Sequence, residues 1–144
     1  MTNIIEITDK QAKDCFLLDT KSLKFWNFQQ WESELKKEYV KALAVFKSEK
    51  IVGACLSQMT NDEADLLYMA IHPEFQRRGI GKSLFSEFIN MSRKNNIKKI
   101  FLEVSAKNIP AIKFYDYFNF KTTSVRKKYY QDGSDALLKS KEIC

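Results

Sequence analysis

Histidine is almost absent from this chain, and that scarcity is the first constraint on its chemistry. His72 is the only one in 144 residues, which excludes histidine-rich metal centres and catalytic sets needing several imidazoles, so no metal is expected. The three cysteines, Cys15, Cys55 and Cys144, are odd in number and form no C-x-x-C pair. A reduced, cytoplasmic protein with incidental thiols is expected, not a disulfide framework. Apolar runs stop well short of the ~20 residues that cross a bilayer. The opening stretch, Met1 to Lys10, lacks the basic segment and apolar run of an export signal, and no membrane partner is expected. Linkers rich in Pro, Gly or Ser, low-complexity tracts and internal repeats are missing too, which predicts one domain over residues 1–144.

Positive charge is what the chain has in excess. Its 24 Lys and Arg outnumber 18 Asp and Glu, for a net +6. An anionic partner fits that balance. Nucleic acid, a phosphorylated cofactor and an acidic protein surface all satisfy it.

Hydrophobic periodicity orders the rest. Asn3 to Ile7 predicts a strand, and Asp9 is expected to cap a helix carrying Ala12, Cys15, Phe16 and Leu18. An aromatic connection, Lys24 to Phe28, leads to a second helix from Phe28 to Lys37. Val40 to Phe46, Ile51 to Met59 and Ala64 to Ile71 predict three antiparallel strands. Apolar residues then recur at helical spacing from Gly79 to Asn95. Lys98 to Ser105 reads as a strand, Asn108 to Phe118 as a helix, and Phe120 to Tyr130 and Ala136 to Ile143 as two closing strands. The fold class is therefore α/β (α+β): a mixed, mostly antiparallel sheet of about seven strands flanked by about four helices.

Two of only four glycines, Gly79 and Gly81, fall where a strand passes through Pro73 into an amphipathic helix. Glycine there permits backbone angles closed to other residues and lets a ligand approach the main chain. Unpaired N–H groups at a helix start, with Gln76, Arg77, Arg78 and Lys82 around them, suit a diphosphate. A plain strand-to-helix turn is the alternative. The spacing to Lys82 does not make a Walker loop, and Leu84 excludes G-x-G-x-x-G.

The segment Ala70-Ile71-His72-Pro73-Glu74-Phe75-Gln76-Arg77-Arg78-Gly79-Ile80-Gly81 resembles the acetyl-CoA signature of the GNAT superfamily, Q/R-x-x-G-x-G/A after a V-x-P turn. The resemblance implies that the amides of Gln76 to Lys82 hold the coenzyme A pyrophosphate, and the element order agrees with that fold from end to end. The strand Met69-Ala70-Ile71 is expected to hold the pantetheine arm and polarise the thioester carbonyl through its backbone N–H groups.

A carboxylate interrupts the apolar run Lys99 to Ser105. Alternation puts Ile100, Leu102 and Val104 on one face and Phe101, Glu103 and Ser105 on the other. Partial burial would suit Glu103 to general-base work; a solvated sheet position is the bland reading. Glu63 or Asp65 on the neighbouring strand is an alternative base. Asn108 is a good N-cap with Pro110 in the first turn, and Tyr115 falls two turns further along that helix. The pattern L-E-V-x-x-x-N-x-x-A-I-x-x-Y is similar to the RimI-type ribosomal-protein alanine N-acetyltransferases. It implies Glu103 as general base, Asn108 as a contact to the pantetheine and Tyr115 as proton donor to the departing thiolate. Trp26 and the pair Tyr129-Tyr130 resemble substrate-side features of that group. The implied acceptor is a protein N-terminus, that of a ribosomal protein, with no direct nucleic-acid binding; a lysine or small-molecule amine on the same fold is the alternative, and a non-enzymatic basic nucleic-acid-binding module is a further one. Two departures stand out: Gln131 replaces the proline that usually follows the tyrosines, and the closing strand is less apolar than expected.

Overall fold

The computed structural model describes residues 3–143. Strands β1 (Asn3–Ile7), β2 (Val40–Lys47), β3 (Lys50–Thr60), β4 (Glu63–Ile71), β5 (Lys99–Ser105), β6 (Lys121–Arg126) and β7 (Ala136–Glu142) form one sheet ordered β1-β2-β3-β4-β5-β7-β6. The helices are α1 (Ala12–Lys21), α2 (Phe28–Lys36), α3 (Ile80–Lys94) and α4 (Ile109–Tyr117). Only β4 and β5 run parallel; a parallel pair needs a crossover, and α3 provides it.

Alternation along β2 divides the core. Val40, Ala42 and Ala44 join Cys15 and Leu18 of α1 and Trp31 and Leu35 of α2. Leu43 and Val45 face the other way and join Leu84, Phe85 and Phe88 of α3 with Tyr115 of α4. Local signals account for most element ends. Asn27 and Gln30 form a capping box at the start of α2. The expected Asp9 cap is displaced by one residue, because Thr8 and Gln11 close a capping box around a single 3-10 turn.

The closing hairpin differs more. β6 ends at Arg126, well before Tyr130, because Lys128 (φ 49) and Gly133 (φ 83) turn the chain. Asp135 accepts the Lys128 N–H at 2.9 Å, so Tyr129 and Tyr130 ride in the connection. The polar character of β7 also has a cause. Lys139 is buried, with its ammonium donating to Asp116 at 3.1 Å and Thr122 at 3.0 Å.

One irregularity shapes the site. Glu63, Ala64 and Asp65 of β4 pair with Lys99, Ile100 and Phe101 of β5, and pairing stops there although both strands continue. The register between β3 and β4 slips after Leu56, leaving Leu67 without an opposite residue. A bulge of this kind bends its strand, and β4 leaves β5 to open a gap in the middle of the sheet.

Burial has a consequence for stability against alkali. It pushes the Cys15 thiol up to about 12 and raises Cys55, Tyr68 and Tyr115 above their ordinary ranges. In the unfolded chain the thiols ionise near ~8.5 and the phenols near ~10. The folded state holds these protons longer, so the stability is complete below those values and is lost as pH rises through them. The melting temperature is expected to fall steadily from about pH 8.5 upward; a flat profile to pH ~10.5 would contradict this.

Candidate active site

The gap leads into a cavity of about 600 Å³ between the end of β4, the start of α3, the start of α4 and the end of α1. Its wall includes Met69, Ala70, Ile71, Gln76, Arg77, Gly79, Gly81, Lys82 and Tyr115. Lys21, Arg77 and Lys82 contribute positive charge to the wall, and no Asp or Glu lines it. Such a cavity suits a long anionic ligand with an apolar stem.

The β4 edge facing the gap has free backbone groups. His72 donates its N–H to the Val52 carbonyl across β3 at 2.7 Å. Alternation gives Ala70 the same orientation and turns the N–H groups of Met69 and Ile71 toward the gap. Gln76 is already engaged, its side-chain amide donating to the Ile71 carbonyl at 3.0 Å.

The glycine loop has the conformation of an anion nest. Arg77 (φ 64) and Gly79 (φ 79) are both left-handed, and α3 starts at Ile80 with no side-chain cap on its N–H groups. Ser83 donates to the Gly79 carbonyl; the N–H groups of Ile80, Gly81 and Lys82 precede that first helical bond and stay available. Nest and helix dipole together favour an anion here. The side chains divide differently from the backbone. Ile80 is buried in the core, Arg78 lies over the Phe75 ring at 5.2 Å and Lys82 over the Tyr117 ring at 3.9 Å.

Glu103 is exposed as a residue, with its side chain 34% accessible, between the partly buried and the solvated positions considered for it. Two neighbours hold its carboxylate. The Tyr130 hydroxyl donates to Oε1 at 3.3 Å, and Arg126 lies 3.9 Å from Oε2. Desolvation, then the adjacent Glu103 charge, pushes the Tyr130 phenol up to about 12. Tyr129 is exposed, packed edge-on against Tyr130, with the Arg126 guanidinium 5.3 Å from its ring. Tyr115 is buried among Phe85, Phe114 and Phe120. Burial raises its phenol above the ordinary range, so it keeps its proton. The faces of β5 put Glu103 on the α1/α2 side and Tyr115 on the α3/α4 side, with the gap between them. Asn108 caps α4, its side chain accepting the Ala111 N–H at 3.2 Å, and does not line the cavity. Asp65, the alternative base, stands at the branch point of β4 and β5, where partial burial raises its carboxyl. Glu63 is exposed at the start of β4.

Sequence reading missed the loop between α1 and α2 as an organised wall. Lys21, Ser22 and Leu23 line the cavity, and the loop is tied down by Asp19, a carboxylate only 1% exposed. The clue was a lone acid late in an amphipathic helix, which also reads as an ordinary surface residue.

A splayed parallel pair, a capless glycine helix start and a basic cavity agree with the acyl-transferring enzymes that the sequence resembles. The sequence model of the acetyltransferase (GNAT) family matches residues 5–120, and the chain belongs to that family. It is similar to the ribosomal protein bS18-alanine N-acetyltransferase of Escherichia coli K12, 29% identical over 116 residues that cover 78% of each chain. The crystal structure of the ribosomal-protein-S18-alanine N-acetyltransferase from Escherichia coli superposes with a TM-score of 0.92 at 26% identity, covering 99% of this chain and 94% of that one. The fold is also that of Arabidopsis thaliana NAA60 in complex with acetyl-CoA, with a TM-score of 0.85 and 16% identity, over 99% of each chain. Among the described residues no helix is long and apolar enough to cross a membrane, and no group of acidic, histidine or cysteine side chains could hold a metal ion.

Proposed function

We propose that the chain transfers the acetyl group of acetyl-CoA to the N-terminal α-amine of a protein, in the manner of the ribosomal-protein alanine N-acetyltransferases it is similar to. The observation that carries the reading is the opposed placement of Glu103 and Tyr115 across the gap between β4 and β5. Free Cys15 and Cys55 accord with a reducing, cytoplasmic setting.

Acetyl-CoA fits the residues present and enters as a substrate supplying an activated thioester. Backbone amides from Gly79 to Lys82, with Arg77, Lys82 and Lys21, would hold its phosphates, and the apolar wall at Ile71, Ala111 and Phe114 would take the pantetheine arm. The free N–H groups of Met69 and Ile71 face the gap, where they stabilise negative charge building on a carbonyl oxygen. Glu103 accepts the proton of the attacking α-amine, directly or through water. Nitrogen bonds to the acetyl carbon as the carbon–sulfur bond breaks, and Tyr115 gives its proton to the leaving sulfur. A protein α-amine titrates near ~8, against ~10.4 for lysine, so an exposed carboxylate is a sufficient base. Trp26, on the α1/α2 side, and Tyr130, beside Glu103, would flank the acceptor.

The deciding experiment is mass spectrometry after incubation with acetyl-CoA and three acceptors. They are a peptide with a free N-terminal alanine, the same peptide blocked at its α-amine but carrying lysine, and a small polyamine. Acetyl is expected on the α-amine of the first alone. Acetyl on lysine or the polyamine would move the substrate class, and no product from any would end the reading. Tyr115→Phe is expected to lower kcat by roughly tenfold to a hundredfold with little change in acetyl-CoA affinity, measured by steady-state kinetics and calorimetry.

A further inference from the structure

The geometry points to Asp19 as a positioning residue that builds the acceptor-facing wall of the site, a role that rests on the N-terminal acetylation reading above. Asp19 lies near the end of α1 and is almost fully buried. A buried carboxylate is costly unless its oxygens are all engaged. Here they are. The Phe25 N–H donates to both oxygens, at 3.2 and 3.0 Å. The Trp26 N–H and the Trp31 indole N–H both donate to Oδ2 at 3.0 Å. The Tyr68 hydroxyl donates to Oδ1 at 3.0 Å. Its main-chain carbonyl also accepts from Ser22 and Lys24, and Lys24 takes a left-handed φ of 57 to make the turn.

These bonds fix the α1–α2 loop to two elements, α2 and β4, that already share a buried core. Phe25 and Trp26 belong to the loop, Trp31 to α2, and Tyr68 to β4, one residue before the free edge at Met69. Rings complete the fit: Trp26 stacks on Tyr68 with centroids 5.9 Å apart, and Phe25 meets Tyr68 edge-on at 5.7 Å.

The hub sits on the acceptor side. Tyr68 packs with α1 and α2, and Glu103 projects from the same face of the sheet because its neighbours Leu102 and Val104 pack on the other. An amine that reaches Glu103 therefore passes beside this loop, whose Leu23 and Phe25 are 42% and 55% exposed. The hydrogen bonds that shape the glycine loop do not involve Asp19, although both flank the C-terminal half of β4 and the α1–α2 loop meets the cofactor cavity at Lys21, Ser22 and Leu23. Asp19 thus acts chiefly on where the acceptor sits, and it reaches the phosphate end of the cavity only through Lys21.

The test is Asp19→Asn, an isosteric change that places an amide where the N–H and O–H donors need an acceptor, with Tyr68→Phe as a milder variant that removes one donor. Steady-state kinetics with an alanine-starting peptide should show the acceptor KM raised about tenfold or more in Asp19→Asn, with kcat and the acetyl-CoA dissociation constant within about threefold of wild type. The chain has two tryptophans, Trp26 and Trp31, and both touch the hub, so emission and its response to peptide should change in parallel. Should Asp19→Asn fail to fold, Tyr68→Phe carries the same expectation at a smaller size. Unchanged acceptor KM, or equal loss of donor and acceptor binding, overturns the role of Asp19. Failure of the wild-type enzyme to acetylate the peptide overturns the acceptor assignment itself, and this inference with it.

Discussion

Glu103→Gln is expected to lower kcat by roughly 10²- to 10⁴-fold, the span general-base catalysis commands. The substitution keeps the shape and the acceptor oxygen that Tyr130 donates to at 3.3 Å, but the amide cannot take a proton. Binding of acetyl-CoA should be unaffected, because Glu103 does not line the cavity. The pH dependence gives the sharper signature. An α-amine ionises near ~8; above that pH a growing fraction arrives already neutral. The deficit of the variant should therefore shrink as pH rises through 8 and beyond. A variant with wild-type kcat from about pH 6.5 to about 9 would remove Glu103 as the base, and Asp65, on the same face at the branch point, would be examined next. Arg126, at the end of β6, and Tyr130, on the β6–β7 connection, orient the Glu103 carboxylate, so its position is set by these partners and not by a closed pocket.

Gly81→Val should abolish detectable acetyl-CoA binding by calorimetry, a loss of roughly a hundredfold or more in affinity, since filling a ligand cavity removes contacts outright. A Cβ at Gly81 would lie 3.5 Å from the Phe114 ring and 3.6 Å from Ile71, ordinary contact distances. Both of those residues line the cavity, so the two methyl groups beyond that Cβ enter the space the ligand needs. The fold itself should tolerate the change, with the melting temperature within a few degrees of wild type, because Gly81 has ordinary helical angles and replacing glycine reduces the freedom of the unfolded chain. Gly79 is a different case. Nothing lies near its Cβ position, but φ 79 penalises any side chain, so Val at Gly79 would damage the nest through backbone strain. Retained affinity in Gly81→Val would place the ligand elsewhere than between Ile71 and Phe114.

Much of this was legible in the residues. Strong periodicities placed the four helices and seven strands within a few residues, and the Asn108 cap marked the start of α4. The exceptions were turns. Tyr129 and Tyr130 looked like strand because they are aromatic, and the side chain of Asp135, accepting from Lys128, holds the chain out of the sheet there. The parallel pairing of β4 with β5, and its early end, had no local marker at all, because a bulge at Leu67 shows only against the opposing strand.

The glycine loop, the lone Glu103 and the Asn108–Tyr115 spacing are properties of short segments, so the sequence by itself determined the family and the residue types from which a site could be made. Local angles and helix ends depend on neighbours a few positions away, and such information survives in one dimension. What lies across the sheet does not. Only the tertiary structure decided that Glu103 and Tyr115 stand on opposite sides of an opening, that Arg126 and Tyr130 steady the Glu103 carboxylate, and that Asp19 gathers Phe25, Trp26, Trp31 and Tyr68 around one carboxylate. The contacts of Glu103 with Tyr130 and of Asp19 with Trp31 and Tyr68 join residues 12 to 49 positions apart, and they come into being when two cores pack against the two faces of one sheet.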